Sequence, residues 1–100
     1  AEAIYTQAIA LKSDYALAHN NLGITLQDLG RLEEAEASLR QAIAFKSDYA
    51  EAHSNLGNML RVLGRLEEAE ASYRQAIALK PDFAEVHNNL GNTLRDLGRL

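Results

Sequence analysis

Apolar residues recur along this chain at spacings of three and four and not in the strict alternation of a strand, so its regular elements are expected to be helices. Ile4, Tyr5, Ala8, Ile9 and Leu11 give one apolar face to the stretch Ala1 to Lys12, and Leu22, Leu26 and Leu29 give another to Tyr15 to Leu29. The first of these patterns returns at Ala35–Lys46 and Ala69–Lys80. Ser13-Asp14, Ser47-Asp48 and Pro81-Asp82 follow such stretches. They read as a stop and a new N-cap, because short polar side chains accept from the free N–H groups of the next helix. Gly30, Gly64 and Gly98 end the alternate helices, where a left-handed residue costs glycine nothing sterically. After Gly30 and Gly64 comes Arg-Leu-Glu-Glu, a connection so short that the next helix must fold back antiparallel. Six helices joined by short turns result, without a linker or a low-complexity segment.

Sliding the sequence by 34 positions lays it over itself. Ala16–Tyr49 and Ala50–Phe83 share 24 of 34 residues, and Ala84–Leu100 repeats the first half again. The units are thus 16–49 and 50–83, with a second helix of a partial repeat at 1–15 and a first helix of another at 84–100. A period of this length implies a solenoid whose units bury apolar faces only against their neighbours.

Composition changes this picture little. The net charge is −4 and there is no run of Lys or Arg, so neither nucleic acid nor an anionic membrane is an expected partner. Without cysteine there is no disulfide staple, thiolate chemistry or cysteine-based zinc site. No apolar run approaches the roughly 20 residues that span a bilayer, which argues against membrane insertion, and no signal-peptide pattern opens the chain. His19, His53 and His87 lie one repeat apart, and helices stacked about 8–10 Å apart hold them too far from one another to share a metal ion. They read as neutral rings at the edge of the core. No phosphate loop, nucleophile elbow or plausible carboxylate pair is found, so neither catalysis nor a cofactor is expected.

The pattern resembles the tetratricopeptide repeat, a 34-residue helix-turn-helix unit, over the whole chain. With Ala16 as the first position, the family's packing positions fall on Leu22, Gly23, Leu26, Ala35, Leu39 and Ala42. In the next copy they fall on Leu56, Gly57, Leu60, Ala69, Tyr73, Ala76 and Pro81. Histidine replaces the usual aromatic at the fourth position, and Ser13 and Ser47 replace the usual proline. With the Asn-Leu-Gly runs, this is similar to the repeat regions of O-GlcNAc transferase-like enzymes and bacterial scaffold proteins. The resemblance implies an all-α, right-handed superhelical solenoid whose first helices line a concave groove for an extended peptide.

Five of the ten differences between the two full copies share one stripe of the first helix: Leu17/Glu51, Asn20/Ser54, Ile24/Asn58, Gln27/Arg61 and Asp28/Val62. The stripe reads either as exposed surface free to drift or as a ligand surface. The second reading is favoured because the outer face of the second helix, with Glu36, Arg40 and Gln41 recurring as Glu70, Arg74 and Gln75, hardly varies. The candidate peptide-binding groove comprises Asn20, Asn21, Ile24, Glu51, Ser54, Asn55, Asn58, Arg61, Val62, Asn88, Asn89, Asn92 and Arg95. Asn21, Asn55 and Asn89 offer amides to a peptide backbone, and Arg61 and Arg95 offer charge to an acidic side chain. Some family members clamp a terminal carboxylate with cations. The matching residues here, Asn20, Ile24, Asn55, Glu85 and Asn89, are neutral or acidic, which argues against that role.

The expected function is a protein-interaction scaffold with a protein or peptide partner. The alternatives are the non-catalytic arm of a glycosyltransferase-like enzyme, a piece of a longer array, or a module that self-associates head to tail. In the last, Ala84–Leu97 of one molecule would pack on Ala1–Lys12 of the next. One hundred residues fall two short of three periods, and the chain begins with the Ala-Glu-Ala that would follow the two missing glutamates.

Overall fold

The computed structural model describes residues 1–99. Its order is α1 (Glu2–Leu11), α2 (Ala16–Asp28), α3 (Leu32–Phe45), α4 (Ala50–Val62), α5 (Leu66–Leu79) and α6 (Ala84–Asp96), with no strand among the described residues. The chain forms two compact units, 1–48 and 49–100.

In the first unit α2 packs against both α1 and α3. Ala35, Leu39 and Ala42 of α3 are completely buried, as is nearly all of Leu26. Burying a leucine of this kind contributes about 1.5–3 kcal/mol. The close approach depends on Gly23, where an added Cβ would stand 2.7 Å from Leu39 Cγ. The apolar face expected of α1 remains largely open: the helix has no buried residue, and Ile4 and Leu11 are 72% and 79% exposed. Leu29 is also mostly exposed, because it follows the last turn of α2 instead of continuing the Leu22 and Leu26 face.

The second unit repeats the scheme with α4 packed on α5 and α5 on α6. Tyr73 takes the place of Leu39 and is completely buried, together with Met59, Ala69, Ala76 and Val86. Lys80, past the end of α5, lies 3.9 Å from Glu51 in the first turn of α4. The pair is therefore antiparallel, as its short turn requires.

Gly30, Gly64 and Gly98 carry φ of +78°, +78° and +71°. Each closes a Schellman motif: the glycine N–H reaches the carbonyl three residues back, and the following arginine N–H the carbonyl five back, as Arg31 does with Leu26 at 2.9 Å. The expected serine and aspartate caps are not formed. The N-caps of α2, α4 and α6 are Tyr15, Tyr49 and Phe83, without a side-chain cap bond. Ser13-Asp14 and Pro81-Asp82 instead occupy the centres of β-turns closed by Tyr15 N–H to Lys12 O and Phe83 N–H to Lys80 O, both 3.1 Å. Serine, aspartate and proline suit such central positions as well as they suit caps, which is why the residue types alone misplace the boundary.

Candidate functional site

His19 and His87, at the fourth position of α2 and α6, each belong to the entry of their helix. His19 Nε2 donates to Ser13 O at 2.7 Å and His87 Nε2 to Pro81 O at 2.8 Å. The ring thus fastens the turn to the first helical turn by taking up a carbonyl of the turn itself. His19 also stacks obliquely on Phe45, with ring centroids 5.5 Å apart. No group of three or more His, Cys, Asp or Glu residues suited to a metal ion is present among the described residues.

Ion pairs lace the outer face of the second helices. Glu70, whose side chain is only 12% exposed, accepts from Arg74 Nε at 2.9 Å and from Arg99 Nη1 and Nη2 at 2.6 and 3.1 Å. Arg74, then Arg99, hold its carboxyl below the ordinary carboxylate range. In the first unit Arg31 makes the matching reach to Glu2 at 2.7 Å, also 29 residues away, and binds Glu34 as well. Glu36 accepts from Arg40 at 2.9 Å with 15% of its side chain exposed. Arg40 with Glu36 and Arg74 with Glu70 are neighbours one helical turn apart, a spacing the sequence shows, whereas Arg31 with Glu2 and Arg99 with Glu70 lie 29 residues apart, where no local pattern reveals them.

The stripe itself is heterogeneous. Asn20 and Ser54 are buried, at 5% and 6% exposure, so they offer little surface to a ligand. Asn21, Asn55, Asn58, Arg61, Asn89 and Asn92 are half-buried, whereas Ile24, Glu51, Val62, Asn88 and Arg95 are exposed. In the second unit several of them come together. Asn58 Oδ1 accepts from Tyr73 Oη at 2.6 Å and from Asn89 Nδ2 at 3.3 Å. The amide of α4 thus meets that of α6, and both rest on the buried tyrosine. Arg61 lies 3.9 Å from Asp96. Burial raises the Tyr73 hydroxyl's pKa, and Arg61 opposes that rise. The structure therefore brings Asn58, Arg61 and Asn89 into one patch. Its anchor, Tyr73, was missed as a site residue, although the copies differ together at Leu39/Tyr73 and Ile24/Asn58.

Helices of this length, paired through a glycine on one and alanines on the other, match a known pattern. A TPR repeat model covers residues 26–60 and 57–98, and a second, described as tetratricopeptide repeat, covers 4–37. The chain belongs to the tetratricopeptide repeat family. Solved structures agree. The first TPR of Spaghetti (RPAP3), bound to the HSP90 peptide SRMEEVD, is 25% identical with a TM-score of 0.94, over 97% of this chain and 77% of that one. YrrB, described as a TPR protein with an unusual peptide-binding site, is 25% identical with a TM-score of 0.92, over 99% of this chain and 51% of its own. The O-GlcNAc transferase of Thermobaculum terrenum is 30% identical with a TM-score of 0.89, over 93% of this chain but only 18% of the enzyme. This tetratricopeptide repeat chain thus spans about half of YrrB and a small part of the transferase. No curated protein sequence matches it. None of its described helices is long and apolar enough to cross a membrane.

Proposed function

We propose that this tetratricopeptide repeat chain is a non-catalytic scaffold that holds an extended peptide, or an extended segment of a partner protein, against its first helices. The working units are the repeats 16–49 and 50–83 with the half repeats 1–15 and 84–100. The observation that carries the reading is the 3.3 Å bond from Asn89 to Asn58, which sets the amide stripes of α4 and α6 edge to edge over a rigid tyrosine. Asn55, Asn89 and Asn92 would serve the peptide backbone, each amide offering a donor and an acceptor. Arg61 and Arg95 would meet an acidic side chain, and Val62 would take an apolar one. The peptide-bound Spaghetti repeat and the peptide site of YrrB support this use of the fold. With no cation at Asn20, Ile24, Asn55, Glu85 or Asn89, recognition would run along the backbone and not through a terminal carboxylate.

Ligands selected from a displayed random-peptide library, titrated by fluorescence anisotropy, test the proposal. Losing two amide contacts of about 1 kcal/mol each should weaken binding about ten- to thirtyfold in Asn55→Ala/Asn89→Ala. Arg61→Glu/Arg95→Glu should select against acidic ligands. If both variants stay folded by circular dichroism and bind every selected peptide like the parent, the face is not the site. The 30% identity to the Thermobaculum terrenum enzyme supports a second reading, in which the same face is the peptide-holding arm of a glycosyltransferase-like enzyme whose chemistry lies outside these residues.

A further inference from the structure

We infer that Tyr73 is the specificity-determining residue of the second unit: it fixes the Asn58 amide with the NH2 group toward the ligand and so selects a carboxylate side chain there. The inference deepens the peptide-binding reading and rests on it.

The polarity of the hydrogen-bond chain follows from its first member. A guanidinium can only donate. Arg61 acts on the Tyr73 hydroxyl by hydrogen bonding as well as by charge, so the tyrosine oxygen accepts there and its own proton must go elsewhere. It goes to Asn58 Oδ1, at 2.6 Å. The ring cannot carry its hydroxyl to another partner, because it is completely buried over Gly57. Asn89 Nδ2 donates to the same Asn58 oxygen at 3.3 Å. An amide oxygen has two lone pairs, and both are then taken.

These bonds leave the half-buried asparagine only its two amide hydrogens to offer. Arg61, one turn further along α4, adds the donors of its guanidinium; Asp96 stands 3.9 Å from its Nε, beyond hydrogen-bond length. Asn58 with Arg61 thus gives hydrogen bonds and receives none. A carboxylate meets that demand with two acceptor oxygens and a charge, and charge-assisted bonds are roughly twice as strong as neutral ones. An amide of the same shape brings one acceptor, no charge and two hydrogens that find nothing to bond. The first unit has no such device. At the same positions Leu39 brings no hydroxyl and Ile24 no amide, and the exposed Ile24 presents hydrocarbon.

The probes are peptides selected on the parent chain from a displayed random library, each also synthesised with its acidic residues changed in turn to the isosteric amide. By fluorescence anisotropy the parent should hold the acid form about tenfold more tightly than the amide form at one such position. Tyr73→Phe keeps the ring and removes the hydroxyl, so that Asn58 can turn its oxygen to the ligand. The acid-over-amide ratio should fall at least about threefold, chiefly through tighter binding of the amide form. A merely structural role would weaken both forms alike and leave the ratio where it was. Asn58→Asp keeps one oxygen for Tyr73 and Asn89 but turns a second outward, and it should reverse the preference. Circular dichroism verifies that both variants are folded. An unchanged ratio in folded Tyr73→Phe overturns the inference. So does an Asn58→Asp variant that still prefers the acid, or a selected set without acidic residues. The peptide-binding reading fails by a different result, when Asn55→Ala/Asn89→Ala binds every peptide like the parent.

Discussion

Gly57 and Gly91 occupy the same position of successive first helices, yet an alanine should have opposite effects at the two. In a helix interior the replacement of glycine by alanine gains about 1 kcal/mol from the backbone. At Gly91 nothing opposes that gain, because the new methyl would meet no atom within 4 Å. At Gly57 the methyl would lie 2.7 Å from Tyr73 Cε1, 2.8 Å from Cδ1 and 3.1 Å from Cζ. The ring cannot swing away easily: it is completely buried and its hydroxyl is held by Asn58. Overpacking of this kind costs about 1–3 kcal/mol. Gly91→Ala should therefore stabilise by about 1 kcal/mol, and Gly57→Ala should range from neutral to about 2 kcal/mol less stable than the parent. In a chain of this size 1 kcal/mol shifts the melting midpoint by about 4–8 °C. Urea denaturation and thermal melts measure both. If Gly57→Ala stabilises as much as Gly91→Ala, the tyrosine is not clamped over the glycine.

Two further outcomes follow from the same contacts. Asn58→Ile and Tyr73→Leu, which copy Ile24 and Leu39 of the first unit, should each destabilise by about 1–2 kcal/mol. The double variant should fall short of their sum by about 1 kcal/mol, and strict additivity in a double-mutant cycle would show that the two residues are not a matched pair. The Glu70 carboxyl is held low by Arg74 and Arg99, so its contribution to stability is complete above the unfolded-state pKa and disappears as pH falls through the lower folded value. The stability gap between the parent and Glu70→Gln, followed by urea titration, should be widest near neutrality and close in acid; a gap independent of pH would refute the assignment.

How far the sequence could be read depends on the range of each interaction. The glycines that end α2, α4 and α6 were legible because a left-handed residue is a local demand that few side chains meet. The entry to the same helices was misread. Ser13-Asp14 and Pro81-Asp82 satisfy the rules for a cap and for a turn alike, and the choice fell to the geometry of the helix on either side. His19 packs on Phe45 as a ring at the core edge would, but the bonds that His19 and His87 donate to turn carbonyls six residues back were not legible. Of the candidate face, the stripe of differences on the first helix was visible from the copies alone, but the burial of Asn20 and Ser54 within it was not.

By itself the sequence determined the period, the helices and the packing positions, because apolar spacing, glycine placement and short turns act within one or two helices and repeat 34 residues apart. Tertiary structure decided which polar groups meet. Arg99 finds Glu70 across 29 residues, and Asn89 finds Asn58 across 31. Such pairs leave no periodic trace of their own, since a side chain several ångströms long chooses its partner by where the packed helices place it and by what else is already satisfied there. Tyr73 and Asn58 were present in the sequence as isolated differences from Leu39 and Ile24. Only the fold showed that the tyrosine and the asparagine meet.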